Sequence, residues 1–261
     1  MDILIKGAGD LASGIAVRLH LCHRFRIVMT EIEQPTTVRC EVAFSRAVYL
    51  NTCSVEGIQA RLAKRSAEII PILNAAEIAV YTGPLEKLLS IYRPEVLIDA
   101  VIAKRNLGTF IDDAPIVIAL GPGFTAGEDC HAVIETMRGH DLGRVIYQGK
   151  AYPDTGVPGD IAGYGRERLL RSPYAGIFHT VMRIGDMAKK GDIVATVDGA
   201  PVYAHVSGVI RGLLPDGTPV QSGMKSGDID PRGIPEYCFT VSDKARAIAG
   251  GVLEAILHLQ R

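Results

Sequence analysis

Between residues 114 and 143 the chain places side chains able to do chemistry directly behind a forced change of backbone direction. The apolar run Ala114-Pro-Ile-Val-Ile-Ala-Leu120 stops at Gly121-Pro122-Gly123, and Cys130, His131, Glu135, Arg138 and His140 then fall within eleven residues of one another. A histidine with a carboxylate can move protons or ligate a metal. No third ligand stands at a suitable spacing, so no metal site is expected. Cys130 could act as a thiolate in sulfur handling or cofactor contact; the plainer reading is a buried, inert thiol. On a strand, positions 131, 135 and 137 share one face and positions 138 and 140 the other. His131 and Glu135 are therefore expected to face one pocket, with Cys130 beside them. These three are candidates only, because structural hydrogen bonding explains the same residues, and no catalytic role is assigned.

Two further segments could hold an anion. Lys104, Arg105 and Asn106 follow the strand-like run Val96-Leu-Ile-Asp-Ala-Val-Ile102 and could grip phosphate or carboxylate, Arg105 in a bidentate manner. The competing reading is a solvated basic turn. Near the N-terminus, Lys6-Gly7-Ala8-Gly9-Asp10-Leu11-Ala12-Ser13-Gly14 follows a strand and opens a helix, the context of a dinucleotide-binding fingerprint. Gly7 would allow the tight turn, Gly9 the close approach of a pyrophosphate, and Ala12 would replace the third glycine. The first N–H groups of the helix would face the phosphates. Glu31, 19 residues after Ala12, stands where an acidic side chain would hold a ribose hydroxyl and favour an NAD-like ligand. The alternative is that these glycines, Gly14 included, only pack strand on helix, with Asp10 capping the helix and setting a negative charge near any phosphate. Gly121 and Gly123 would wrap the ligand at the next strand end.

Elements that could position these residues alternate along the first half. Asp2–Lys6, Arg26–Thr30, Ile78–Tyr81, Val96–Ile102 and Ile116–Leu120 read as buried strands, and Leu11–Cys22 as a helix with one apolar face. The alternation predicts an α/β Rossmann-like, mainly parallel sheet over residues 1–127. Residues 128–165 read as a hairpin followed by a Gly/Pro-rich connector. From residue 166 to 240, short β segments broken by Gly-Asp and Asp-Gly turns resemble a mostly β barrel-sandwich hybrid of the biotinyl/lipoyl type. Its expected tip, Asp198-Gly199-Ala200-Pro201, has no lysine, so no lipoyl or biotin attachment is expected. Asp228, Asp230 and Arg232 would lock that barrel to the sheet. Residues 241–261 read as a C-terminal helix capped by Ser242.

Composition narrows the classes. Lys+Arg 28 against Asp+Glu 29 leaves a net charge of −1, and aromatic residues make up 6% with no Trp. Neither an electrostatic nor a stacking case exists for nucleic acid, and none for an anionic membrane. Five scattered cysteines with no C-x-x-C pair point to reduced thiols in the cytoplasm. No leader is visible at the N-terminus, and no apolar run approaches the roughly 18 residues of a membrane span.

Taken in order, Ile5–Gly14, Glu31-Ile-Glu-Gln-Pro35, Ala103–Thr109, Leu120–Gly127, His131–His140, Gly227–Arg232 and Ser242–Arg246 resemble the YqeB-type family of selenium-dependent molybdenum hydroxylase accessory proteins. The resemblance spans essentially the whole chain. It implies a role in maturing, loading or supplying a molybdenum hydroxylase or its pterin cofactor, hence a molybdopterin-type ligand, whereas the glycine loop and Glu31 point to an NAD-like dinucleotide. The partner it implies is that client hydroxylase; a second copy of the chain is a separate expectation. The alternative from the residues is an NAD-dependent oxidoreductase of a small molecule, with His131 and Glu135 as its acid–base pair.

Overall fold

A computed structural model describes residues 1–260, which fold as two compact units. The first takes Met1–Pro35, Ala43–Thr155 and the chain from Val241 onward. Its strands are β1 (Asp2–Lys6), β2 (Arg26–Thr30), β3 (Thr52–Val55), β4 (Ile58–Ala63), β5 (Ile78–Tyr81), β6 (Val96–Asp99), β7 (Ile116–Leu120), β8 (Thr125–Ala126), β9 (Ala132–Ile134), β10 (Val145–Ile146) and β11 (Gly149–Lys150). Nine of them form one sheet in the order β10-β9-β7-β6-β1-β2-β5-β4-β3. From β9 through to β4 every pairing is parallel. The edges β10 and β3 run antiparallel to their neighbours. β8 and β11 make a separate two-stranded pair.

The central strands are apolar on both faces because both faces are covered. Leu4, Val28, Leu97, Val117 and Val133 join one core cluster with Ile69, Tyr81, Leu88 and Phe124. The opposite face is covered by α1 (Asp10–Leu21) and α5 (Asp243–Leu259), which bury Ile15, Leu19, Ile248, Val252 and Ile256. Ser242 caps α5 as its sequence suggests, its Oγ accepting the Ala245 N–H at 3.2 Å. Three short helices, α2 (Ala47–Leu50), α3 (Ile69–Asn74) and α4 (Leu85–Leu89), fill other connections. Pro71 is tolerated as the third residue of α3, where its missing N–H has no intrahelical partner to lose.

The second unit joins Thr36–Val42 to Gly156–Thr240. It holds two four-stranded antiparallel sheets built from β12 (Leu169–Arg171), β13 (Gly176–Thr180), β14 (Met187–Ala188), β15 (Ile193–Val197), β16 (Ala200–Tyr203), β17 (Gly208–Leu213), β18 (Thr218–Val220) and β19 (Lys225–Asp230). Their orders are β12-β19-β17-β14 and β16-β15-β13-β18. Asp228 and Asp230 pair with Arg168, Arg211 and Arg232 inside this unit.

The fold class read from sequence is corrected. The large sheet is mixed, not a Rossmann-like parallel sheet complete by residue 127. It takes in an antiparallel hairpin, β3–β4, and recruits β9 and β10 from later in the chain. Of its crossovers, only the β1–β2 connection carries a helix of three turns. The second unit is likewise not the contiguous biotinyl/lipoyl-type module expected. Arg39, from the first half of the chain, bridges to Leu213 of β17, and a Cβ on Gly212 would lie 2.7 Å from Val38. Apolar periodicity records that a strand is buried, not which strand lies beside it.

Candidate functional site

In the strand order, β6 lies directly beside β1. The chain leaving β1 crosses to β2 on one side, and the chain leaving β6 crosses to β7 on the other. Connections that part in opposite directions from neighbouring parallel strands open a crevice at the carboxyl edge, the usual ligand position in open parallel sheets. One wall is Gly7–Asp10 and the other is Asp99–Asn106.

The glycine loop is held tightly. The Gly7 N–H donates to Thr30 O at 2.9 Å, and Gly9 is the N-cap of α1 with no side chain to accept the first-turn N–H groups. Asp10 is the acidic residue of that turn, and Ala12 and Gly14 are buried behind it. Glu31 turns back onto the loop: its Oε2 accepts the Ala8 N–H at 3.0 Å and its Oε1 accepts the Ile32 N–H at 2.8 Å.

The opposite wall carries backbone strain. Ile102 and Lys104 have φ of +59° and +61°, the left-handed region that side chains avoid, and β-branched ones most of all. Gly123, at φ +109°, presses against this bend; a Cβ there would lie 2.6 Å from the backbone N and Cα of Arg105. The turns after β6 and β7 therefore brace each other. Gly121 donates its N–H to Ile134 O at 2.8 Å, which fixes the same turn to β9.

Within that wall the three polar residues differ. Lys104 Nζ pairs with Asp154 at 2.7 Å on the surface. Asn106 is spent locally: its Oδ1 accepts the Gly108 and Thr109 N–H groups, and its Nδ2 donates to Thr109 O and Asp129. Arg105 is exposed and makes no hydrogen bond or ion pair among the described residues. Beneath them, buried Asp99 accepts the Thr109 hydroxyl at 2.7 Å, and Thr109 in turn accepts Lys6 Nζ at 2.7 Å. The Asp99–Thr109–Lys6 relay escaped the sequence reading. Its one signal is a lone acid inside the apolar run Val96–Ile102.

His131 and Glu135 do not meet. They flank the three residues of β9, so they sit at opposite edges of the sheet. His131 Nδ1 accepts the Val117 N–H at 3.0 Å, and the ring lines an amino-edge cleft of about 540 Å³ with Arg93, Asp112 and Asp113. Glu135, only 2% exposed, lies at the carboxyl edge and accepts the Met137 and Tyr152 N–H groups at 2.7 and 2.8 Å. Burial, aided by Asp129, pushes the Cys130 thiol up to about 12, so it stays protonated at neutral pH. Arg138 forms a two-pronged pair with Asp243 at 2.7 and 2.8 Å, and His140 is exposed in the following turn. Among the described residues, no group of three His, Cys, Asp or Glu could hold a metal ion, and no helix is long and apolar enough to cross a membrane.

Lys244, in the first turn of α5, is the cation that sequence reasoning missed. Burial, with Arg138 nearby, lowers its pKa from the ordinary lysine value, against the opposing pull of Asp10, Glu135 and Asp243.

No family model matches the chain. Over 257 residues, 98% of its length, it is 51% identical to the uncharacterized protein YqeB of Escherichia coli (strain K12). That similarity supports the YqeB family. The chain spans about half the length of this YqeB relative, 47%. Among solved structures, an aspartoacylase family protein from Mesorhizobium loti is 13% identical with a TM-score of 0.31, covering 87% of this chain and 84% of that one. A succinylglutamate desuccinylase from Silicibacter sp. TM1040 is 16% identical with a TM-score of 0.25 over the same shares. The ectoine utilization protein EutE (DoeB) from Ruegeria pomeroyi is 21% identical with a TM-score of 0.23, over 32% of this chain and 28% of that one. Likeness at these scores bears on neither the fold nor the activity of this chain.

Proposed function

We propose that this chain acts as a cytoplasmic accessory or maturation protein for a molybdenum hydroxylase, selenium-dependent in the family it resembles. It binds a nucleotide or a molybdopterin-type ligand at the carboxyl edge of the nine-stranded sheet. The observation that supports this best is the crevice between β1 and β6. There the uncapped start of α1 and a strained basic turn follow the carboxyl ends of neighbouring strands, and Arg105 makes no hydrogen bond or ion pair among the described residues. Strain of this kind costs of order 1–3 kcal/mol per residue and persists where the surroundings and the function require it. The glycine loop offers backbone N–H groups to phosphate, and Arg105 can approach a phosphate oxygen pair with both of its terminal nitrogens.

The oxidoreductase reading gains no observation of its own. Glu31 already accepts two N–H groups, and His131 and Glu135 stand at opposite edges. The test is direct binding of a molybdopterin-type ligand to the whole chain by calorimetry. A Lys104→Ala/Arg105→Ala variant is expected to bind at least about tenfold more weakly, since a charged hydrogen bond contributes about 1.5–3 kcal/mol. Equal affinity for wild type and variant would remove Lys104 and Arg105 from the site and the reading with them.

A further inference from the structure

We infer that the amino-edge cleft of the nine-stranded sheet binds a zwitterionic α-amino acid with a large apolar side chain. Asp112 takes the ammonium, and Arg93 and the His131 Nε2–H take the carboxylate. The cleft lies at the edge opposite the proposed nucleotide or pterin site, and neither depends on the other.

Sheet order brings the three groups together. β6, β7 and β9 are parallel neighbours, so the segments that enter them gather at one edge. Arg93 precedes β6, Asp112 precedes β7 and His131 precedes β9, and all three line the same cleft of about 540 Å³. Each sits on anchored backbone. Beside Arg93, the buried Tyr92 hydroxyl donates toward Ile3 O and Arg26 O, at 3.1 and 3.0 Å. The turn carrying Asp112 is closed by Asp113, whose N–H donates to Phe110 O at 3.0 Å and whose carboxylate accepts the Phe110 N–H at 3.0 Å. His131 grips Val117 twice: its N–H donates to Val117 O at 2.8 Å, and its Nδ1 accepts the Val117 N–H at 3.0 Å.

Those bonds decide what each group has left to offer. An Nδ1 that accepts a hydrogen bond carries no proton, so the neutral ring holds its proton on Nε2 and presents a donor. Asp113 also lines the cleft, but Lys6 Nζ lies 3.6 Å from its carboxylate and answers its charge. Arg93 and Asp112 are exposed and make no hydrogen bond or ion pair among the described residues, with each other or with any neighbour. One cation and one anion are thus left over in a single cleft. A ligand of one sign would serve one of them and be repelled by the other, whereas a zwitterion serves both. The rest of the lining is apolar, from Leu89, Pro94, Ile111, Ala114 and Pro115. A few polar groups set in an apolar wall of this size is the usual form of a small-molecule site. A large apolar side chain would displace water from that wall, which a small polar one would not.

The experiment titrates the ¹⁵N-labelled whole chain with L-phenylalanine and follows its amide NMR signals. Saturable shifts are expected at Asp112, Asp113 and Val117, with none at Gly7 or Gly9. N-acetyl-L-phenylalanine lacks the ammonium and L-phenylalanine amide lacks the carboxylate. Each should bind about threefold to fivefold more weakly, the worth of one partly exposed ion pair. The same two compounds mimic a peptide C-terminus and N-terminus, so tighter binding of either would assign the cleft to a peptide end and overturn the inference. Glycine, without the apolar body, should bind weakest of all. Arg93→Gln should abolish the preference for phenylalanine over its amide, and Asp112→Asn the preference over the N-acetyl compound. Absence of saturable shifts, equal binding of either blocked compound, or preferences that survive both substitutions each overturn the inference. If a variant fails to fold, the wild-type series with the blocked compounds decides alone.

Discussion

Asp228→Ala is expected to cost the second unit about 3–5 kcal/mol, the usual penalty for removing one partner of a buried ion pair. Asp228 is 1% exposed and accepts from Arg168 through one oxygen and from Arg211 through the other, with the Arg211 Nε at 2.9 Å. Alanine would leave the buried Arg168 guanidinium without a counter-charge and Arg211 with only its 3.3 Å pair to Asp230. Arg168 would keep only its bond to Gly159 O, and its Nε is already without a partner. Urea denaturation, or hydrogen exchange across β17 and β19, measures the loss. A change below about 1 kcal/mol, the scale of an exposed pair, would mean that the cluster is solvated.

Asp230 adds a pH dependence to the same cluster. Burial pushes its carboxyl upward, but Arg232 and Arg211 outweigh that and hold it below the usual aspartate value of 3.8. A depressed acid stabilises the fold above its unfolded pKa, and that contribution is lost as pH falls toward and through the folded value. The melting temperature of the second unit should therefore fall as pH drops below about 4. An Asp230→Asn variant should show a shallower slope in that window.

Two adjacent glycines in α5 should respond with opposite signs. Gly251→Ala is expected to destabilise the first unit by about 1–3 kcal/mol despite the better helix propensity of alanine. Its Cβ would lie 2.2 Å from Gly143 O and 3.1 Å from Ile134. Gly143 cannot yield easily: at φ +84° its own missing Cβ faces the Ala247 carbonyl at 2.6 Å. Helix and hairpin turn are thus pressed together backbone to backbone. At Gly250 a Cβ would meet only the end of Arg18, at an ordinary 3.7 Å. Gly250→Ala should therefore stabilise by about 0.5–1 kcal/mol, the propensity gain alone. Thermal melts of the two variants beside wild type check both signs, and equal shifts would contradict the packing of α5 on the hairpin.

The sequence by itself determined the local elements. Alternating apolar runs set β1, β2, β5, β6 and β7, because a strand covered on both faces must be apolar along its whole length. Ser242 announced the start of α5, since its hydroxyl can accept a first-turn N–H that nothing else satisfies. Glycine turns marked the ends of β1 and β7, whereas the strand read as Val96–Ile102 ends at Asp99, short of Lys104, Arg105 and Asn106.

Only the tertiary structure decided which ends meet. The pairing of β6 with β1 opens the crevice, and the shortness of β9 sends His131 and Glu135 to opposite edges, although strand parity alone puts them on one face. The antiparallel edges, the late strands β9 and β10 and the early segment drawn into the second unit are likewise long-range choices. Periodicity reports how deeply a residue is buried, whereas sheet order and helix docking depend on complementary surfaces brought together from distant parts of the chain.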